Sequence, residues 1–195
     1  MIAMAKKQDF RPDKPSTSLL SYFILTRKQQ KTLFKWVFYG AMLVLLSVIQ
    51  DVLLSQVRLF GATSELVPCA IFLICILEGT HTGSLFSLIA GLLYLFSGTA
   101  PGPYSMVAIT FLAVGVCIFR QAYLQESFSS AFLCTAIAMV LYVLVNFFFG
   151  LFLGLAPFSR IFGFFITAIL SVLTVPVLYP IFKAIGAFGG YTWKE

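Results

Sequence analysis

Long apolar runs separated by short polar breaks are the main pattern of this sequence after its first 35 residues. None of them shows the polar–apolar alternation of a membrane β-barrel strand, so each run predicts a helix. Six helical spans are therefore expected, at residues 36–56, 66–77, 83–96, 106–119, 129–153 and 161–182.

Two of these runs are short for a membrane crossing. Residues 66–77 and 83–96 fall below the about 20 residues that a helix needs to cross the hydrocarbon core. They form either two short crossings or a re-entrant hairpin that turns between residues 78 and 82, and we favour two crossings. Pro176 and Pro180 are expected to bend or end the last helix, because proline lacks the N–H that a helix interior needs.

A bilayer is the expected solvent of this helical domain. Hydrophobic residues make up 60% of the 195 residues and charged residues only 10%, whereas soluble proteins carry about 25% charged residues. So few charges cannot cover a soluble core. The sequence predicts an all-α, polytopic membrane protein with a six-helix domain at residues 36–185 and a short cytosolic tail at 186–195.

Positive charge is concentrated in the N-terminal tail, residues 1–35. This tail carries eight of the 13 Lys and Arg residues and two of the 7 acidic residues, and so the whole net charge of +6. Its prolines and mixed charges predict that it is largely disordered, with a possible interfacial segment at residues 18–25. We expect it to bind anionic lipid headgroups, and no folded basic domain indicates nucleic-acid binding.

The basic residues also predict the orientation of the chain. Six crossings place both termini on one side, and only Arg58 and Arg160 then fall on the other. The positive-inside rule therefore predicts cytoplasmic N- and C-termini.

No pattern of metal ligands or catalytic groups is evident. The four cysteines lie in apolar runs without C-x-x-C spacing, and the chain has one His, so we expect packing cysteines and neither a metal nor a cofactor. No G-x-S-x-G, H-E-x-x-H or paired-aspartate motif occurs, and an intramembrane enzyme is not expected.

Small and polar residues recur every fourth position in three of the spans. Such spacing places each set on one helix face, and in a bilayer small and polar residues mark the places where helices touch. We interpret these faces as helix-packing surfaces, with a ligand cavity or a seam for a partner protein as the alternative. The three faces are Ser47, Asp51 and Ser55; Asn146, Gly150 and Gly154; and Gly163, Thr167 and Ser171.

Glu78 and His81 lie three residues apart and share a helical face. A metal site would need more ligands than the chain offers here, and no nucleophile is near. We expect polar turn residues that water reaches at the cytosolic membrane face, with Glu78 as a candidate partner contact.

Residues 77–102 combine these polar groups with five glycines. Gly91 lies inside an apolar span, where it lets a neighbouring backbone approach. The loop Ser97–Ser105, with two glycines and two prolines, is a rigid candidate recognition surface.

These residues also carry a family resemblance. A first span ending in "LLSQ" at Gln56, a second opening "SELVP", and the stretch "GSLFSLIAGLLYLFSGTAPG" resemble the MreD family of bacterial rod-shape-determining membrane proteins. Gly91, Gly98 and Gly102 match the family pattern, with Gly83 as a further candidate. The chain has Tyr94 where the family usually has an aspartate, which removes any acidic function at that position.

The resemblance covers residues 36–185 and implies a non-enzymatic subunit of the cell-elongation machinery, in peptidoglycan synthesis at the bacterial cell membrane. The implied partners are an MreC-like protein, MreB filaments, a RodA-type glycosyltransferase and a class B penicillin-binding transpeptidase.

The alternative is a substrate-binding S component of an energy-coupling-factor vitamin transporter, whose six-helix bundle is expected to be similar. Such proteins typically carry a small-residue A-x-x-x-A seam in the first span, whereas here Ala41 is followed four residues later by Leu45. Arg58, Glu65, Tyr104 and Asn146 are candidates for a vitamin pocket.

Overall fold

The computed structural model describes residues 27–54, 62–123, 127–155 and 157–188. Two predicted contact residues, Ser55 and Gln56, lie outside these ranges, as does Arg58, a candidate for the vitamin pocket. The same holds for residues 1–26, which include the predicted interfacial segment, and for residues 189–195.

Helices make up the regular structure of the described ranges, as predicted. They are α1 (Arg27–Ile49), α2 (Leu66–Glu78), α3 (Thr80–Phe96), α4 (Pro103–Tyr123), α5 (Phe128–Phe152), α6 (Ile161–Leu173) and α7 (Val175–Phe188). A π-helical turn, Gln50–Leu54, continues α1, and a short 3₁₀ turn, Phe158–Arg160, leads into α6.

Three of the described helical segments are long and apolar enough to cross a membrane: Gln30–Val52, Pro103–Gln121 and Phe128–Phe152. The pair α6 and α7 adds a fourth if it is counted as one span bent by 45°. The break lies at Thr174, two residues before Pro176, because Pro176 has no N–H to donate to the carbonyl four residues earlier and its ring crowds that carbonyl. Helix α7 then continues through Pro180.

The first helix begins earlier than predicted. Helix α1 starts at Arg27, so residues 27–35 belong to the helix and not to a disordered tail. The sequence prediction was wrong here because it treated Lys35 as a solvated tail residue, whereas Lys35 is only 4% exposed and pairs with another helix.

Helix α2 lies at the centre of the bundle. All of its residues except Leu77 are buried, and it packs against α1, α3, α4, α5 and α7. The 13-residue run of α2 has no polar residue before its last position, Glu78, so every side of the helix can pack against apolar neighbours. The chain turns at Gly79, where φ is +90°, and returns directly as α3.

Other elements satisfy the polar groups at the start of α2. The side-chain oxygen Oε1 of Gln50 accepts the backbone N–H groups of Leu66 and Val67 at 2.9 and 3.1 Å. The N–H of Glu65 donates to Ser171 Oγ at 2.8 Å. The first N–H groups of a helix have no partner within it, so these contacts take the place of a local cap. We call the two ends of the bundle the Glu65 end and the Glu78 end.

Gly83 marks a close approach of α2 and α3. A Cβ atom at this position would lie 3.2 Å from both Cα and O of Cys75 and 3.3 Å from Cys117 Sγ. Two of these atoms belong to the backbone, which cannot move aside without shifting α2.

We therefore expect Gly83→Ala to destabilise the protein by roughly 1–3 kcal/mol, since the added methyl overpacks the α2–α3 contact. Unfolding by SDS titration in mixed micelles measures the change. Gly115→Ala is the matched control, because a Cβ there meets nothing within 4 Å and alanine is the better helix former. An equal effect of both substitutions would contradict the proposed close approach.

Candidate functional site

A buried ion pair closes the Glu78 end of the bundle. Lys35 Nζ lies 2.5 Å from Glu78 Oε2, and the Tyr39 hydroxyl donates to Glu78 Oε1 at 2.7 Å. Phe182 O lies 3.4 Å from the same hydroxyl, so α1, α2 and α7 meet at this carboxylate. Charges this deep need close partners to offset their desolvation.

The expectation that water reaches Glu78 was wrong. Glu78 is 4% exposed, whereas its neighbour His81 is exposed. The carboxylate is buried because α1 brings Lys35 to it from 43 residues away in the sequence. This cluster ties helices together, and it does not form an open surface for a partner.

A groove between α1 and α3 lies at the Glu65 end. Its volume is about 270 Å³, and its polar lining comes from Ser47, Asp51, Tyr94 and Ser97. The first two residues come from the predicted polar face of the first span, and Tyr94 is the residue at the family's aspartate position. The structure thus brings together three predicted residues from two helices, around an open groove and not in a closed helix contact.

A cluster of buried polar side chains lies behind this groove, and we call it the Glu65 cluster. Tyr94 adjoins Gln50 and Tyr142, and Tyr142 in turn adjoins Glu65 and Asn146. Within the described ranges, six buried side-chain atoms have no hydrogen-bond partner: Ser64 Oγ, Glu65 Oε2, the hydroxyls of Tyr94 and Tyr142, and Nδ2 and Oδ1 of Asn146.

Unpartnered buried polar atoms are costly in an apolar interior. Each such group costs about 1–3 kcal/mol if nothing satisfies it, so the Glu65 cluster is a candidate for hydration or for binding a polar group. Asn146 was predicted as a packing or contact residue, and it lies in this cluster with 3% exposure.

Glu65 lies in the segment that precedes α2, outside the long membrane helices. Burial of its carboxyl raises its pKa from 4.5 to about 7, an effect that the neighbouring Tyr142 hydroxyl opposes in part. The neutral carboxyl is therefore favoured in the folded protein under acidic conditions.

The predicted glycines fall into different environments. A Cβ at Gly91 would lie 3.5 Å from Met106 Cγ, an ordinary contact with α4 that would still exclude a large side chain. Gly98 and Gly154 have positive φ, +79° and +69°, and form turns after α3 and α5. A Cβ at Gly102 would meet the Tyr104 ring at 2.5 Å, and Gly150 is buried in α5.

The loop after α3 is held by its own contacts. Ser97 Oγ donates to Tyr94 O at 2.7 Å, and Ser105 Oγ donates to Gly102 O at 2.6 Å. The Tyr104 ring stacks on the Phe149 ring of α5, with the ring centroids 5.3 Å apart. These contacts are consistent with a preformed surface at residues 97–105.

Sequence reasoning did not assign Lys35, Tyr39 or Tyr142 to a site. The only available signal was a polar group inside or next to an apolar run, which many packing residues share. Glu65 was considered only as a candidate for a vitamin pocket.

No protein-family model, curated protein or solved structure matches the chain.

We expect Lys35→Met to lower the free energy of unfolding by about 3–5 kcal/mol, because it removes the ammonium group that lies against the buried Glu78 carboxylate. Combining it with Glu78→Leu should recover most of the loss, since both charges are then removed and Phe182 O remains near the Tyr39 hydroxyl. SDS titration measures both variants. Lys31→Met, one turn earlier at an exposed position, is the control. A double variant no more stable than Lys35→Met would contradict this account.

Protein stability should fall as pH rises from 4.5 to about 7. The folded-state pKa of Glu65 lies above the value of 4.5 expected for the unfolded chain, so across this window the folded protein holds a proton that the unfolded chain releases. The contribution is fully present below pH 4.5 and is lost as pH passes the folded pKa, with a size on the order of 1–3 kcal/mol.

Thermal unfolding in detergent across pH 4–8 tests this prediction by comparison with Glu65→Gln, which cannot release the proton. The difference in unfolding temperature between the wild-type protein and Glu65→Gln should change between pH 4.5 and about 7. Parallel curves would show that this carboxyl is not buried as described.

Proposed function

We propose that the protein is a non-enzymatic, MreD-like membrane scaffold of the bacterial cell-elongation machinery, with both termini in the cytoplasm. In this proposal α2 and α3 are short crossings within a six-span bundle similar to that of S components. The partners would be an MreC-like protein, MreB filaments, a RodA-type glycosyltransferase and a class B penicillin-binding transpeptidase. The basic N-terminal tail would bind anionic lipid headgroups.

The groove between α1 and α3 is the observation that supports this proposal most. Ser47 and Asp51 were predicted as packing or partner residues from the first span, and Tyr94 occupies a position of the family pattern. All three line one lateral groove. A groove on the side of a bundle faces other membrane components, and polar residues there give hydrogen bonds that are specific in a bilayer.

The closely packed framework of the groove is consistent with a scaffold. Gly83 lets α3 lie directly on α2, and Gly91 lets it lie against α4. These contacts hold the α3 wall of the groove in place, so that a partner meets a preformed surface and loses less entropy on binding.

The S-component alternative is favoured by a different observation, the unpartnered atoms of the Glu65 cluster. Convergent polar groups in an otherwise apolar site are typical of small-molecule pockets. In that case the protein would bind a vitamin from outside the cell, and the α1–α3 groove would be a secondary feature.

Depletion of the protein in a rod-shaped host should make the cells round, and expression of the wild-type chain should restore rods. Ser47→Trp should fail to restore them, because the indole fills the groove. Phe111→Trp should succeed, since Phe111 is 78% exposed on α4 and does not line the groove. Cell width and length by light microscopy, with equal membrane levels of each variant, measure the outcome.

Unchanged cell shape on depletion would count against the scaffold function. A tightly bound vitamin, identified by mass spectrometry of the purified protein, would establish the transporter alternative. Restoration of rods by Ser47→Trp would leave the scaffold function standing and remove the groove from it.

A further inference from the structure

Three buried tyrosines differ in how their hydroxyls are satisfied. The exposed fractions of Tyr39, Tyr94 and Tyr142 are 0%, 1% and 0%. The Tyr39 hydroxyl donates to Glu78 Oε1 at 2.7 Å, whereas the hydroxyls of Tyr94 and Tyr142 have no hydrogen-bond partner within the described ranges. A buried hydroxyl without a partner is unfavourable, so the two tyrosines of the Glu65 cluster call for a further partner.

Tyr142 lies at the centre of the Glu65 cluster. It adjoins the carboxyl of Glu65, the hydroxyl of Tyr94 and the amide of Asn146. Within the described part of the chain, its hydroxyl forms no direct hydrogen bond to any of them, and Glu65 Oε2 and both amide atoms of Asn146 are also unpaired. Polar groups that lie close together without pairing directly are commonly bridged by a water molecule.

The mixture of donors and acceptors in the cluster favours water as the bridging molecule. Asn146 presents an unpartnered donor, Nδ2, together with an unpartnered acceptor, Oδ1. The Glu65 carboxyl donates when it is neutral and accepts when it is ionised. Water donates and accepts, so it can satisfy every one of these groups in either state of the carboxyl, whereas a metal ion would leave Nδ2 unpaired. Over the described ranges, no group of three or more His, Cys, Asp or Glu residues could hold a metal ion.

The cluster lies near one surface of the bundle. Glu65 directly precedes α2, and Tyr94 lies in the last turn of α3, which ends at Phe96. Asn146 lies in α5, which ends at Phe152, and the rise between these two residues is about 9 Å. Because the hydrocarbon core of a bilayer is about 30 Å thick, water can reach the cluster from the Glu65 end without crossing the middle of the membrane.

We propose that the Glu65 cluster holds about two internal water molecules, which bridge Tyr142 to Glu65, Tyr94 and Asn146. The number follows from the six unpartnered atoms, since an internal water makes about three hydrogen bonds to buried polar groups. The water site goes beyond the scaffold function and does not depend on it, because hydration is measured on the isolated protein and either proposal can fail alone.

X-ray radiolytic footprinting of the full chain in lipid nanodiscs tests the proposal. Radiolysis produces hydroxyl radicals where water lies, and mass spectrometry measures the rate at which each tyrosine is modified. We expect Tyr94 and Tyr142 to be modified about three- to tenfold faster than Tyr39, because only the first two adjoin the internal water. Tyr39 is the matched control, since it is equally buried and its hydroxyl is bonded to Glu78.

Two substitutions in α5 locate the water. Asn146→Leu removes both amide atoms at nearly constant side-chain volume and should lower the modification rate of Tyr142 severalfold. Thr135→Val is the control and should leave that rate unchanged, because Thr135 is 0% exposed and its hydroxyl already donates to Ala131 O at 2.7 Å. Thermal unfolding shows that each variant is folded before footprinting.

Equal modification rates of the three buried tyrosines in the wild-type protein would overturn the proposal, as would an unchanged rate at Tyr142 in folded Asn146→Leu. Rates at Tyr94 and Tyr142 that fall when sodium chloride replaces choline chloride would show a cation in place of water. A small molecule that copurifies with the protein, and whose removal raises these rates, would also overturn water as the occupant and would favour the S-component alternative.

Discussion

The burial of α2 on every side is the constraint on which the rest of the structure depends. A helix in this position has no solvent to satisfy its polar ends, so other helices must do so. At the Glu65 end the Gln50 side chain accepts hydrogen bonds from the first two N–H groups of α2. At the Glu78 end Lys35 pairs with Glu78, the last residue of α2. Both partners come from α1 and its π-helical turn, which therefore packs along α2 in a single register.

The helical class and the long spans could be predicted from the sequence because they depend on local properties. Apolar runs without alternation identify helices, and the length of a run indicates whether it can cross a bilayer. The break at Thr174 followed from Pro176 in the same way. The start of α1 could not be predicted, because Lys35 is basic and next to a charged tail, and its burial depends on Glu78 in another helix.

The candidate site was predictable only in part, for a related reason. Periodicity placed Ser47 and Asp51 on one face of the first span, but it could not say that this face borders a groove. Tyr94 drew attention through the family pattern, and its proximity to Tyr142 depends on how α3 and α5 each pack against α2. The Glu65 cluster draws its members from four places in the chain, and no spacing within a single segment predicts such a group.

The contact between Ser171 and Glu65 has a mechanical consequence. Ser171 lies in the last turn of α6, next to the bend between α6 and α7, and its hydroxyl accepts a hydrogen bond from the backbone N–H of Glu65. A change in the angle between α6 and α7 would therefore displace the segment that carries the Glu65 carboxyl, unless this hydrogen bond breaks. The bend between α6 and α7 and the polar interior of the bundle are thus joined by this hydrogen bond, beside the direct packing of α7 on α2.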